Sequence, residues 1–387
     1  MDHKNSRINT VLNVAICPAG CGKKKSNAIA IAGGGTGGHL FPGISIAREF
    51  MSRDPDNKVL FISTGNPFEV KALSDAGYPL KKIKSAGIKG MGLWNQLKSV
   101  LIIPWGIMKA INILWVFKPG LVLGIGSYAA GPVVMGAFVM RKKIALHEQN
   151  ILPGITNRIL SFFADKIYVS FKNTKPDFNP SKVLFTGNPI RQEMLDNTVN
   201  TVKDDSGPGP FTIFITGGSQ GANSINMSLI DALSNLKKTI RFFFIHQTGT
   251  NDEQKVKKAY KSQGISCDVK PFFSDMAKQI KKADMLICRA GATTIAEITA
   301  IGKAVIFIPF PFAADNHQVI NAQNLSEKGA AETILEKDLN GRLLAERIMY
   351  YESNRKALDD MASKAKSYGK PDAAKIIVDD IYRLLGS

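Results

Sequence analysis

The segment Ile31-Ala32-Gly33-Gly34-Gly35-Thr36-Gly37-Gly38 follows an apolar run and leads into a helix-like stretch, with His39 directly behind it. Successive glycines let backbone N–H groups approach a ligand without Cβ interference, and the N-terminus of the next helix adds about half a positive charge. Together they make an anion site whose natural guest is phosphate. His39 should face the same cleft as the loop amides, and an imidazole with an ordinary pKa of about 6.5 suits a general base at neutral pH. The alternatives are a capping or packing role for His39 and tight packing alone for the glycines. Gly33, Gly35 and Gly38 also satisfy the G-x-G-x-x-G spacing of dinucleotide sites. However, the next strand candidate, Val59–Ser63, runs into Thr64-Gly65-Asn66-Pro67 rather than the acidic residue such a site needs, which disfavours NAD or FAD.

A second junction of the same kind, Ile215-Thr216-Gly217-Gly218-Ser219-Gln220-Gly221, lies about half a chain further on. Arg289-Ala290-Gly291-Ala292-Thr293-Thr294 ends the apolar run Met285–Cys288 and opens a helix carrying Glu297 in its first two turns. Small residues with backbone donors suit a further phosphate cradle, and a nearby carboxylate can accept hydrogen bonds from ribose hydroxyls. Without a ligand, Glu297 is a favourable charge near a helix N-terminus. The polar residues His147-Glu148-Gln149-Asn150 close another apolar strand, where ligand contact competes with a solvated loop as the explanation. Asp315-Asn316-His317-Gln318-Val319-Ile320-Asn321 offers amides to sugar hydroxyls, or is simply a polar helix start. Metal chemistry finds little support: Asp54-Pro55-Asp56 reads as a turn, Cys17 and Cys21 lack a second ligand pair, and no zinc spacing or nucleophile elbow occurs. No metal and no cofactor is expected, so charge must be stabilised by loop amides and helix ends.

Rigid elements must hold these residues. Short apolar runs ending in glycine loops and followed by helix-like stretches recur throughout, the alternation of an α/β protein whose parallel sheets are covered on both faces. In the first half, strands are expected at Ala28–Ala32, Val59–Ser63, Leu121–Gly124, Ile144–His147, Lys166–Val169 and Val183–Thr186. In the second half they are expected at Phe211–Thr216, Arg241–Gln247, Cys267–Lys270, Met285–Cys288, Ala304–Ile308 and Glu332–Leu335. The two glycine junctions look like copies, so the simplest architecture is two similar doubly wound, Rossmann-like domains. Asp196–Pro210, polar and rich in Pro and Gly, reads as a linker, and Pro371–Leu385 as an amphipathic helix.

The length of 387 residues and a composition of 44% hydrophobic and 21% charged residues fit an enzyme-sized folded body. The net charge of +18 is uneven: residues 1–191 carry 25 basic against 9 acidic side chains, residues 192–387 carry 25 against 23. Such a field attracts phosphates, nucleic acid or anionic lipid. No carboxylate occurs between Asp75 and Glu148, and Trp94 and Trp105 stand there among aliphatics and Lys84, Lys89 and Lys98. Tryptophans beside lysines on an apolar face suit an interfacial, non-spanning membrane contact. A buried helix with a basic solvated side is the alternative, while nucleic acid is disfavoured because no binding module is present. The most apolar stretch, Ser99–Met108, is far short of the roughly 20 residues of a spanning helix. Residues 1–26 read as a loose extension rather than a signal, and the scattered cysteines fit a reducing cytoplasm.

Taken in order, the motifs GGGTGGHLFP (33–42), HEQN (147–150), GNPIR (187–191), GGSQG (217–221), RAGATTIAE (289–297) and Asp315…Gln318…Asn321-Ala322 make the chain from about Ala28 onward resemble the MurG family of glycosyltransferases. The resemblance implies a GT-B fold with its site in the interdomain cleft. It implies an inverting transfer of N-acetylglucosamine from UDP-N-acetylglucosamine to an undecaprenyl-pyrophosphoryl-N-acetylmuramoyl-pentapeptide in peptidoglycan synthesis. Attachment to the anionic cytoplasmic face of the inner membrane, through Lys89, Trp94 and Trp105, is also implied, with room for contacts to other cell-wall synthesis proteins. By that likeness Thr36, Gly37, Gly38, Asn150, Arg191, Ser219, Phe273, Ala292, Thr293, Thr294, Ile295, Ala296, Glu297 and Gln318 hold donor, with Glu297 on the ribose. His39 is the base, and Tyr128, His147 and Glu148 lie by the acceptor. The implied division is an extension (1–26), an acceptor- and membrane-facing domain (27–191), a linker (192–210), a donor domain (211–368) and a helix packing back on the first domain (369–387). Two departures stand out. Ser127 precedes the tyrosine where the family usually has paired glycines, and an extra residue before His317-Gln318 leaves open which side chain grips the sugar.

Overall fold

A computed structural model describes residues 27–83, 93–174, 178–196, 209–237 and 239–386, with backbone alone for 93–103 and 314. Cys17, Cys21, Lys84 and Lys89 lie outside these residues. The first seven strands are β1 (Ala28–Ala32), β2 (Lys58–Ser63), β3 (Leu80–Lys82), β4 (Leu121–Gly124), β5 (Lys143–Glu148), β6 (Lys166–Val169) and β7 (Val183–Phe185). They form one parallel sheet in the order β3-β2-β1-β4-β5-β6-β7. A second parallel sheet, ordered β10-β9-β8-β11-β12-β13, holds β8 (Phe211–Thr216), β9 (Phe242–Gln247), β10 (Ser266–Lys270), β11 (Met285–Cys288), β12 (Ala304–Phe307) and β13 (Glu332–Thr333). The helices of the first half are α1 (Gly37–Arg53), α2 (Pro67–Asp75), α3 (Leu93–Phe117), α4 (Ala130–Val139), α5 (Ile155–Leu160) and α6 (Gln192–Leu195). Those of the second half are α7 (Asn223–Leu233), α8 (Glu253–Gln263), α9 (Met276–Lys282), α10 (Ala292–Ile301), α11 (His317–Ser326), α12 (Gly341–Ser353), α13 (Arg355–Ser367) and α14 (Ala373–Leu385).

Both sheets reverse winding direction next to their first strand, between β1 and β4 and between β8 and β11. In open α/β sheets the crevice at such a reversal, beyond the carboxyl ends of the strands, is where ligands bind. All the glycine junctions singled out in the sequence leave the sheets at these ends. Along β1 the pleat sends Ile29 and Ile31 to one buried cluster and Ala30 and Ala32 to another, so helices cover both faces. The structure adds β3, which the sequence reading missed because Leu80-Lys81-Lys82 has no apolar run. A short lysine-bearing strand is typical of a sheet edge. The expected last strand shrinks from Glu332–Leu335 to the two residues of β13.

After the second sheet the chain returns to the first. Ile377, Val378 and Ile381 of α14 are buried with Ile29, Phe50 and Leu121. Tyr168 Oη donates to Asp380 Oδ2 at 3.1 Å, and Asn57 Nδ2 donates to Tyr382 Oη at 2.7 Å. α3 runs as one helix through Pro104 and packs on α4. Among the described residues no helix is long and apolar enough to cross a membrane.

Two histidines are sealed in these cores. His246 lies between Asn226 Oδ1 (3.0 Å) and Tyr260 Oη (3.3 Å), and burial lowers its pKa to about 3; burial, then the nearby His39, lowers His147 to about 3 as well. Both folded-state values lie below the unfolded one, so this contribution to stability is complete above about pH 6.5 and is lost as pH falls toward 3. Denaturant melts should therefore weaken by up to about 1.4 kcal/mol per pH unit and per histidine below about pH 6.5. His246→Gln should flatten that slope, and an unaltered slope would contradict its neutral burial.

Candidate functional site

The first glycine loop rests on a carboxylate. Gly33, Gly34 and Gly35 carry φ of +128°, +147° and +92°, conformations that favour glycine. Beneath them α2 begins with a capping box: Asn66 Oδ1 accepts from Glu69 N at 2.9 Å, and Glu69 Oε2 accepts from Asn66 N at 2.9 Å. The buried Glu69 also accepts from Gly35 N at 2.5 Å, Ser63 Oγ at 2.9 Å and Thr64 Oγ1 at 3.0 Å. A Cβ on Gly34 would lie 2.3 Å from Glu69 Oε1. Sequence reasoning missed Glu69, although Asn66-Pro67-Phe68-Glu69 spells the box. Gly35 N is already engaged, whereas the first-turn amides of α1 at Gly37 and Gly38, beside the exposed N-cap Thr36, are open to an anion.

His39 sits in that first turn with its ring partly buried. Its Nδ1 lies 3.0 Å from Ile125 O and 3.0 Å from Gln149 Oε1. Burial lowers its pKa; the hydrogen bonds to Gln149 and Ile125 oppose this, and His317 of α11 lowers it further. The ring is thus neutral at neutral pH. Gly126, at φ +90°, must lack a side chain, since a Cβ there would lie 2.8 Å from His39 Nδ1. Ser127 follows at φ +65°, which accounts for the glycine usually found at that place. Tyr128 is next and 49% exposed.

His147 and Glu148, expected beside the acceptor, have internal hydrogen-bond partners. Both are buried at the end of β5. The Glu148 carboxylate accepts from Asn150 N (2.9 Å), Gly154 N (3.1 Å) and Asn157 Nδ2 (2.9 Å); burial pushes its pKa up and these donors pull it back. It therefore shapes the loop that carries Asn150. Asn150 Oδ1 in turn accepts from Asn321 Nδ2 at 3.1 Å, and Ile151 N donates to Asn321 Oδ1 at 3.1 Å. Asn321, read as a sugar contact, is fully buried and joins the two halves of the molecule.

On the second sheet, α10 points its N-terminus at this loop. Thr293 Oγ1 donates to Gly38 O at 2.9 Å. With Gly291 as N-cap, the amides of Ala292, Thr293 and Thr294 open the helix, but Ile295 N is spent on Gly291 O and the Ile295 side chain is core. Ala296, half-buried in the second turn, lies beyond the orphan amides. Ile295 and Ala296, expected among the donor contacts, thus stand in the framework of α10. Phe273, expected there too, packs its ring on Phe214 and donates its N–H to Gln247 Oε1 at 2.9 Å. Ser219 is exposed on the second glycine loop. Gln318 Oε1 accepts from Phe310 N at 3.0 Å.

Glu297 and Arg191, both read as donor contacts, meet each other across the halves. Arg191 Nε lies 2.7 Å from Glu297 Oε1 and Nη2 lies 3.0 Å from Oε2, a two-pronged pair with the carboxylate nearly buried. Trp94 is placed only as a backbone position in α3, and Trp105 is 65% exposed. Among the described residues no group of three or more His, Cys, Asp or Glu could hold a metal ion.

Glu69→Gln, which sets an amide N–H₂ against the donors around it, should lower stability by about 1.5–3 kcal/mol. A thermal or denaturant melt unchanged from wild type would remove Glu69 from its place as loop support.

Comparison with known proteins matches this geometry. Residues 29–169 match the glycosyltransferase family 28 N-terminal domain and residues 212–377 the glycosyltransferase family 28 C-terminal domain. A protein of Syntrophus aciditrophicus named UDP-N-acetylglucosamine--N-acetylmuramyl-(pentapeptide) pyrophosphoryl-undecaprenol N-acetylglucosamine transferase is 46% identical, covering 92% of this chain and 98% of its own. A relative of the same name from Trichlorobacter lovleyi is 43% identical over 91% and 97%. The crystal structure of Acinetobacter baumannii MurG superposes with a TM-score of 0.74 at 29% identity, covering 92% of this chain and 99% of that one. UDP-GlcNAc 2-epimerase from Neisseria meningitidis, at 16% identity and a TM-score of 0.65, shares the fold alone. With strand order, paired glycine junctions and these relatives in agreement, the chain belongs to the MurG family of two-domain GT-B glycosyltransferases.

Proposed function

We propose that His39 is the base in a single in-line displacement. The protein is a UDP-N-acetylglucosamine-dependent glycosyltransferase acting on the lipid-linked muramoyl-pentapeptide of peptidoglycan synthesis. His39 Nε2 takes the proton of the muramoyl 4-hydroxyl as that oxygen bonds to the anomeric carbon of the donor. The bond from that carbon to the diphosphate breaks with inversion, and UDP leaves with the electron pair. Orphan amides at the starts of α10 and α1 are fixed dipoles that meet the charge growing on the diphosphate without reorganising. Glu297 accepts from the ribose hydroxyls once the donor separates it from Arg191, whose guanidinium then turns to phosphate. The observation that carries this reading is the contact of Thr293 with the Gly38 carbonyl, which brings the α10 amides up to the turn bearing His39.

The division of labour is part of the proposal: 27–191 for acceptor and membrane, 211–368 for donor, 192–210 between them and 369–387 on the first unit. Support for attachment to the anionic cytoplasmic face of the inner membrane comes from apolar side chains left in solvent. Trp105, Trp115 and Val116 of α3, Val139 of α4 and Ile159 of α5 are 56–69% exposed, and Phe162 is 80% exposed. Exposed Lys109, Lys118, Arg141 and Arg158 lie on or beside the same helices, and each basic residue near an anionic leaflet contributes about 1 kcal/mol.

His39→Ala should leave UDP affinity within about twofold while lowering kcat by roughly 10²–10⁴. Loss of both together would take His39 out of the base role. Trp105→Ser with Trp115→Ser and Lys109→Glu should weaken co-sedimentation with anionic vesicles. Undiminished binding would return that face to ordinary surface.

A further inference from the structure

Behind His39 runs a chain of hydrogen bonds whose donors and acceptors can each be assigned. Ile125 O is a carbonyl and can only accept. The Gln149 amide group 2.9 Å from it is therefore the NH₂, which leaves Gln149 Oε1 facing His39 Nδ1 at 3.0 Å. The far end gives the same answer. Ser170 Oγ donates to Glu148 O at 2.9 Å, so His147 Nε2, 3.4 Å away, donates to Ser170 Oγ. His147 Nδ1 is then bare and accepts from Gln149 Nε2 at 3.1 Å, again turning Oε1 toward His39. Two acceptors, Ile125 O and Gln149 Oε1, thus converge on His39 Nδ1, and no second donor is needed to satisfy either. A bare Nδ1 would face two lone pairs at hydrogen-bond distance in a partly buried site.

We propose that Gln149 is a positioning residue that holds His39 in its Nδ1–H tautomer, so that Nε2 is the bare nitrogen offered to the acceptor hydroxyl. His147 and Ser170 fix the amide's direction from behind. This inference rests on the reading of His39 as base.

An amide here does what a carboxylate cannot: it orients the ring without adding negative charge. A carboxylate in contact would favour the imidazolium and take the base out of action at neutral pH. The titratable neighbours of His39 are His317 of α11 and His147 of β5, both of which disfavour its charged form or stay neutral beside it. The Glu148 carboxylate is turned onto Asn150, Gly154 and Asn157. The ring accordingly stays uncharged, as a base must.

Two measurements test this. The first is ¹⁵N spectroscopy of histidine-labelled wild-type enzyme, with the His39 resonances assigned from a His39→Gln sample. A protonated Nδ1 and bare Nε2 are expected, and a predominant Nε2–H form overturns the proposal whatever any variant does. The second is the pH profile of kcat/KM. Gln149→Glu should move its acid limb up by about one pH unit or more, because the pKa of His39 rises and deprotonation is required. Gln149→Leu should mix the tautomers and lower kcat by about 10–100-fold with the UDP-N-acetylglucosamine KM nearly unchanged. A merely structural glutamine would leave the tautomer in place, and Gln149→Leu would then lower the melting temperature without lowering kcat. If His39→Ala abolishes turnover but the Gln149→Glu limb stays put, the positioning role fails and the base survives. If His39→Ala turns over normally, the base reading fails even where the spectrum shows Nδ1–H.

Discussion

Thr293 Oγ1 donating to the Gly38 carbonyl holds together the two places where strands stop and helices start. That bond brings the first turns of α1 and α10 together, and neither helix carries an acidic residue in its first turn. Helix starts leave their first N–H groups without intrahelical partners and carry partial positive charge, so an anion is their natural complement. The winding reversal in each sheet creates the crevice, and the glycines let the backbone enter it. Asn321 against Asn150 and Arg191 against Glu297 then close the same seam with side chains. Catalytic geometry here depends on how two similar halves meet.

Much of this arrangement was legible in the sequence, because apolar runs in a parallel sheet are buried on both faces and stop abruptly. Leu121–Gly124, Lys166–Val169, Phe211–Thr216 and Met285–Cys288 coincide with the observed strands. What sequence leaves open has one cause. His147 and Glu148 are polar residues closing a strand, and sequence cannot tell a side chain aimed at ligand from one that builds the loop holding it. Glu69 meets Gly35 across 34 residues of sequence, and Arg191 meets Glu297 across 106. Local spacing names the cap on α2 but not the second loop it supports. Lys89 and Trp94 carry the membrane expectation in a stretch that the structure describes only in part, whereas Trp105 and its apolar neighbours do stand in solvent.

Charge is managed by the same economy. Burial keeps His39, His147 and His246 uncharged, and Glu297, the carboxylate nearest the expected donor, is neutralised by an arginine from the other half. Binding of a nucleotide sugar would therefore exchange one set of paired charges for another, which limits the desolvation cost that an isolated buried charge would carry.

The return of α14 to the first sheet also has a bearing on how the molecule is made. Ile29 and Phe50 find their covering residues in Ile377, Val378 and Ile381, so a ribosome exposes one apolar face long before it supplies the cover. At translation speeds of about 5–20 residues per second, the wait between the end of the first sheet and the arrival of its last helix is roughly 10–40 s. Throughout that interval the nascent half is a client for whatever shields sticky surfaces at the exit tunnel, and its maturation waits on residues 373–385.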